Sequence, residues 1–192
     1  MRYQLFDISQ EVFSCNVYPG DPQPVMTPQM RISDGAICNL SALSMCAHNG
    51  THVDAPFHFL LDGKTIDRIP LESFTGDCWV ECHEGNVSAA DAAAILRKAE
   101  TAGAAQRILI AGKATVTEEA ARVFAEAGIL LLGNESQTVG PEDAPMQVHL
   151  ILLEGIVLKD IPEGKYFLNA APLQLGGIDG APCRAWLMKF AE

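Results

Sequence analysis

The chain has 192 residues, enough for one domain with a sizeable core, and 48% are hydrophobic against 19% charged, which excludes a disordered chain. Acidic residues outnumber basic ones 24 to 13, for a net charge of -11; this argues against nucleic acid and against an anionic membrane surface as partners. The first residues, "MRYQLFDISQEVF", contain no apolar signal-peptide core, and no apolar run approaches the roughly 20 residues that span a bilayer.

The expected compartment is therefore the cytoplasm. Six cysteines at irregular spacings (15, 38, 46, 78, 82 and 183) read as reduced thiols. "CWVECH", Cys78 to His83, places its cysteines four apart and has no second Cys/His pair, so it reads as a strand and not a metal half-site.

With no internal repeat and no low-complexity linker, one domain over 1–192 is expected. The first 85 or so residues read as strands and turns, punctuated by "YPGDPQP" and "LDGK". The run "LSALSMCAHNGTHVDAPFHF" lacks helical spacing and reads as extended with an irregular end. Strand and helix then alternate. "VSAADAAAILRKAE" is a helix with Ser88 as N-cap and Asp91 three residues on; "RILIAG" is a strand; "TEEAARVFAEAG" is a second helix, acidic at its start and stopped at Gly128; "ILLLG" is another strand. Such alternation predicts βαβ units and a parallel sheet. "LILLEGIVL", "KYFLNAAPLQL" and "RAWLMKF" return to strands. The class is α/β, with a strand-rich N-terminal part followed by strand–helix alternation.

Three of the five histidines fall within "HNGTHVDAPFHF", residues 48–59. Here His48, Gly50, His52, Asp54 and His58 are all even-numbered, so an extended chain points them to one face. Asn49, Gly50 and Pro56 oppose a helix. Glycine on that face leaves room between imidazoles for an ion, and imidazole with carboxylate suits Zn²⁺, Mn²⁺ or Fe²⁺. A lone histidine reads as solvated or hydrogen-bonded; three on one face with an aspartate read as a metal site. No G-x-S-x-G elbow and no phosphate-binding glycine loop is present, which removes serine-hydrolase and nucleotide readings.

This stretch resembles the H-x-G-T-H-x-D-x-P-x-H-F signature of the metal-dependent cyclase family, which includes bacterial kynurenine formamidases and isatin hydrolases. "FDIS" and "YPGDP" resemble the family's opening strand and its W-P-G-D turn, "IDGAPCR" its closing D-G-x-P-x-R stretch, and "LLGNESQTVGPEDAP" also fits. The resemblance implies a swivelling β/β/α domain, a homodimer or larger homo-oligomer, and a small-molecule substrate. It implies His48, His52 and Asp54 as metal ligands, with Asp54 bridging in dinuclear members, and His58 as acid/base. The remaining family ligands, a His and a downstream Glu, match His149 and Glu154 in "VHLILLEGIVL", here only five residues apart. They are expected to complete the first site or build a second, so one or two Zn²⁺ or Mn²⁺ ions are expected. Tyr18 stands where the family's formamidases carry a pocket Trp and is expected at the substrate. Arg184 reads as structuring a turn or else binding an anionic group, Glu135 as a residue following a strand near the site, and His83 as incidental.

The function expected is a metal-dependent hydrolase of an amide or lactone carbonyl, acting on C–N bonds like an arylformamidase. The alternatives are ring opening of a lactone or isatin-like lactam, or a metal- or carboxylate-binding protein without turnover.

Overall fold

The computed structural model describes residues 2–141 and 148–190; the end of "LLGNESQTVGPEDAP", 142–145, lies outside them. In chain order the elements are β1 (Tyr3–Asp7), β2 (Val25–Met30), β3 (Leu40–Ser44), β4 (His52–Asp54), β5 (Thr75–Cys82), β6 (Gly85–Val87) and α1 (Ala89–Thr101). There follow β7 (Arg107–Ala111), β8 (Ala114–Val116), α2 (Glu118–Glu126), β9 (Leu131–Asn134), β10 (Ile151–Glu154), β11 (Gly164–Asn169), β12 (Gly180–Pro182) and β13 (Trp186–Phe190). Nine strands form one sheet in the order β1-β13-β11-β5-β7-β9-β10-β4-β12, while β2–β3 and β6–β8 form two small separate sheets.

The four central strands β5, β7, β9 and β10 are parallel, as the strand–helix alternation requires. Antiparallel strands extend this centre on both sides. Both faces of the parallel core are covered, and the middles of β7, β9 and β10 are apolar and buried on both sides, while β5 carries Asp77 and Glu81 among its buried Cys78 and Val80. On β7, Ile108 and Ile110 meet α1 and α2 through Ile95, Ala99, Ala121 and Phe124. Leu109 points the other way, into a core with Val80, Leu131, Leu153, Ile156 and Leu168. Alternation with a period of two is thus obeyed under two different covers.

Both helices begin where their caps lie. The Ser88 hydroxyl accepts from Asp91 N (3.2 Å) and Asp91 Oδ2 accepts from Ser88 N (2.9 Å), a reciprocal capping box. Thr117 caps α2 by accepting from Ala120 N, and Gly128 (φ 73°) closes it. "CWVECH" lies on β5 with Cys78 buried, and all six cysteines are free. Two expected strands are shorter than their apolar runs. In "LILLEGIVL" the strand stops at Glu154, because Gly155 takes a left-handed conformation (φ 63°) and turns the chain; Ile156 and Leu158 then enter the core from an irregular segment. "KYFLNAAPLQL" is strand only to Asn169. No helix among the described residues is long and apolar enough to cross a membrane.

Candidate metal centre

The site lies at one end of the nine-stranded sheet, where β10, β4 and β12 run side by side. Register decides which side chains meet. His52 stands opposite Glu154 and Asp54 opposite Leu152 across the β4–β10 pair. Directly paired residues share a face, so His52, Asp54 and Glu154 project together while Val53 turns into the core. All three polar residues are buried.

The expected straight extended chain from His48 to His58 is not what forms. Only His52–Asp54 is strand. His48 arrives from a turn, held by Cys46 N donating to Asn49 Oδ1 (2.9 Å) and Asn49 N donating to Cys46 O (3.3 Å). His58 arrives from a single 3-10 turn, Pro56–His58, whose first position suits proline. Alternation therefore explains His52 and Asp54, whereas two local turns bring in His48 and His58. Three glycines make the approach possible. Gly50 (φ 67°) sits in the turn before β4 and its carbonyl accepts from His52 Nδ1 (2.9 Å). A Cβ on Gly155 would come within 2.5 Å of the Gly50 carbonyl oxygen. One on Gly180 would lie 2.7 Å from His48 Cε1 and 2.8 Å from the Val53 carbonyl oxygen. Thr51 pins the segment, donating to Gly155 O (2.7 Å) and accepting from Gln10 N (2.9 Å).

Two groups of ligand atoms result, each within 4.8 Å: His48, Asp54 and His58 in one; His52, Asp54 and Glu154 in the other. Asp54 belongs to both. Its Oδ1 lies 2.8 Å from His48 Nδ1 and 3.2 Å from His52 Nε2, and Glu154 Oε2 lies 3.6 Å from the same His52 nitrogen. The hydrogen bond from His52 Nδ1–H to Gly50 turns Nε2 toward the carboxylates, and in the neutral ring that nitrogen carries the lone pair a metal would take. His149 belongs to neither group: it is exposed and precedes β10, whereas Glu154 ends that strand. The structure therefore brings together His48, His52, Asp54, His58 and Glu154, and leaves His149 out.

One further residue, not among those the sequence points to, joins the site. Asp179, within "IDGAPCR", sets Oδ2 2.9 Å from His48 Nε2 and 3.0 Å from His58 Nδ1. The rings of His48 and His58 lie 4.1 Å apart over this shared oxygen. Within "IDGAPCR" it is the aspartate, and not Arg184, that reaches the site. Arg184 itself pairs with Asp7 at the surface (2.7 Å), a structural contact. Glu135 accepts from Gly112 N (2.7 Å) and Leu158 N (2.8 Å), tying loops together, and His83 Nε2 lies 3.2 Å from the Asn86 carbonyl oxygen, away from the cluster.

The electrostatics suit a cation. Burial raises the Glu154 carboxyl well above the usual carboxylate range and the neighbouring Asp54 charge adds to it, against a hydrogen bond from Val139 N (2.8 Å). Burial opposes ionisation of Asp54 too, but His48 and His52 outweigh it and hold Asp54 low. For His48, burial works against the charged form and is overcome by Asp54 and then Asp179, which push it up to about 9. Two buried carboxylates beside a histidine lone pair are costly without a positive partner. The donor set, imidazole nitrogens and carboxylate oxygens around a shared aspartate, fits a divalent metal.

The cluster opens into a cavity of about 290 Å³ lined by Tyr18, Asp21, Phe59, Gln137 and Leu152 as well as His48, His52, His58 and Glu154. Tyr18 therefore faces the same pocket.

The Cyclase family model matches residues 6–141. The kynurenine formamidase of Salinibacter ruber is 32% identical over 204 residues, covering 95% of this chain and 96% of its own. That of Paracidovorax citrulli is 33% identical over 208 residues, covering 95% of each. Isatin hydrolase A from Labrenzia aggregata superposes with a TM-score of 0.78 at 20% identity, over 97% of this chain and 93% of its own, a likeness of fold. With the family model spanning the HNGTHVDAPFHF segment and full-length relatives above 30% identity, the chain belongs to the Cyclase family.

Proposed function

We propose that this protein is a metal-dependent hydrolase of an amide, of the arylformamidase type, working with Zn²⁺ or Mn²⁺ as a homodimer or larger homo-oligomer. The observation that carries the reading is Asp54 shared between two ligand groups at the floor of a pocket that also holds His58. His52, Asp54 and Glu154 would hold one ion, and Asp54 with His48 a second. A metal bound there lowers the pKa of water toward roughly 7 and polarises a carbonyl.

The side chains do the rest. Asp179 accepts from His58 Nδ1–H, which leaves Nε2 as the proton acceptor and keeps the ring from rotating. His58 takes the proton of the attacking water and returns it to the leaving nitrogen, so an arylformamide yields formate and an aryl amine. Asp179 also holds His48 Nε2, the outer-shell carboxylate that orients a ligating imidazole. Tyr18 and Phe59 offer aromatic walls to an aryl group. Support for self-association comes from the β2–β3 ribbon, which exposes Val25, Met26, Leu40 and Leu43, since a lone two-stranded ribbon is marginal in water.

The test is a formamide, lactone and lactam panel on metal-loaded enzyme, with His58→Ala beside it. Hydrolysis of arylformamides, lost in the variant at unchanged metal content, is expected. Turnover of lactones or isatin alone would move the assignment to ring opening, and no turnover with any class would refute the hydrolase reading.

A further inference from the structure

We propose that Glu154, besides serving as a metal ligand, is the positioning residue for the pocket wall formed by residues 137–141, and that its two carboxylate oxygens divide the two tasks. Its ligand role rests on the hydrolase reading above; its role in the wall does not. Glu154 Oε2 is the oxygen that faces His52 Nε2, at 3.6 Å. Oε1 is already engaged: it accepts from Val139 N (2.8 Å), with both residues buried. That leaves Oε2 as the oxygen open to an ion.

Val139 is where the wall is fastened. Its side chain lies fully buried in the helix-side core with Val116 and Leu152, and its carbonyl accepts from Val116 N (2.9 Å). On either side of it Gln137, Thr138, Gly140 and Pro141 line the cavity. This stretch is neither helix nor strand, so no ladder holds it and each separate anchor counts. Two anchors come from consecutive residues at the end of β10: Gly155 N donates to Ser136 O (2.7 Å), and the Glu154 side chain takes Val139 N. Asn134 Nδ2 reaches Thr138 O only at 3.4 Å. Gln137 Nε2 donates to Asn16 O, so the wall also meets the segment that leads to Tyr18. A buried N–H deprived of its acceptor is costly, so without Oε1 the Val139 amide must leave its place and the lining residues beside it shift. An ion on Oε2 would immobilise the same carboxylate and so stiffen the wall.

Two substitutions separate the tasks, with hydrogen exchange at the Val139 amide read by NMR on the full chain. Glu154→Gln keeps an acceptor oxygen but loses the anionic ligand; Glu154→Met keeps similar length and bulk and cannot accept. Both should lose most Zn²⁺ binding. In metal-free protein the Gln variant should exchange at Val139 within about threefold of the parent, and the Met variant faster by about tenfold or more, as loss of one buried hydrogen bond implies. A neutral aryl amine, 2-aminoacetophenone, should bind the metal-free parent and the Gln variant within about threefold of each other, and the Met variant on the order of tenfold more weakly.

Equal exchange or equal amine binding in the Gln and Met variants overturns the proposal, because the acceptor oxygen would then not be what holds the wall. If the Met variant does not fold, the parent decides: Zn²⁺ should slow Val139 exchange by about threefold or more, and unchanged or faster exchange overturns the proposal. None of these readouts needs turnover. The expected exchange pattern without hydrolysis of any formamide, lactone or lactam refutes the hydrolase reading and keeps the role of Glu154 in the wall. Hydrolysis without that pattern does the reverse.

Discussion

Gly180→Ala tests how tightly the metal centre is built, without touching a ligand. Gly180 pairs with Asp54 in the β12–β4 register. Its missing side chain is the space taken by the His48 ring. A Cβ there would sit 2.7 Å from His48 Cε1, 2.8 Å from Val53 O and 3.3 Å from His48 Nδ1. A carbon–carbon contact is comfortable only at about 3.5–4.0 Å, so something must move by most of an ångström. The Val53 carbonyl belongs to the strand that carries His52 and Asp54 and cannot move alone, so the ring gives way. Overpacking of this kind costs about 1–3 kcal/mol. Displacing His48 from Asp54 and Asp179 should weaken metal binding by about 10- to 100-fold, the range found when ligand-orienting contacts are lost. Urea denaturation of metal-free protein reads the first effect; metal titration with a competing chelator reads the second. In a His48→Ala background the same substitution should cost less, because one of its two obstacles has gone. Unchanged stability together with unchanged metal affinity would refute the packing argument.

Other outcomes are equally definite. His52→Ala should lose most of its bound metal after purification without chelator, measured by elemental analysis, since its Nε2 faces both Asp54 and Glu154. His58→Ala should keep metal and lose hydrolysis by ~10²-fold or more, and a rate within a few-fold of the parent would remove it as the proton carrier. Asp179→Asn should fold and bind metal with reduced affinity, lower kcat, and shift the pH–rate profile, because both histidine partners lose a charged acceptor. Metal binding to the metal-free protein should also depend on pH. His48 is raised to about 9, so at neutral pH it is protonated and the metal must displace that proton. Apparent affinity should therefore climb as pH rises toward 9 and level off above it, by up to about tenfold per unit for one proton; a flat profile from 6.5 to 9 would contradict the raised value.

The local features were legible because their causes are local. Ser88 and Asp91 mark the start of the first helix by bonds to nearby backbone and Gly128 stops the second by its left-handed backbone, as the sequence predicts, while the Thr117 cap is local in the same way. His52 and Asp54 share a face because they stand two positions apart on a strand, with Val53 between them. His48 and His58 reach the cluster for another reason, two turns that strand alternation does not encode. Glu154 and Asp179 were harder, since each is delivered by pairing with β4 from more than a hundred positions away or, for Asp179, from just before the strand that does so. His149 illustrates the converse: the resemblance set it with the ligands beside Glu154, but it lies exposed before β10, while the β4 register brings in the residue at the strand's end.

The two outer strands of the large sheet bear on how the protein is made. β1 pairs only with β13 in that sheet, and β12 lies at the opposite edge beside β4. β1 and β4 therefore wait for the segment 179–190 before either border is sealed, and Asp179 comes with that segment. Pairings of such large sequence separation are slow to close. During synthesis His48, His52 and Asp54 exist as a half-built chelator without the β12 edge that seats His48. Strong metal retention should appear as a cooperative event that coincides with docking of the segment 179–190, so a nascent chain stalled before residue 179 would bind metal only weakly.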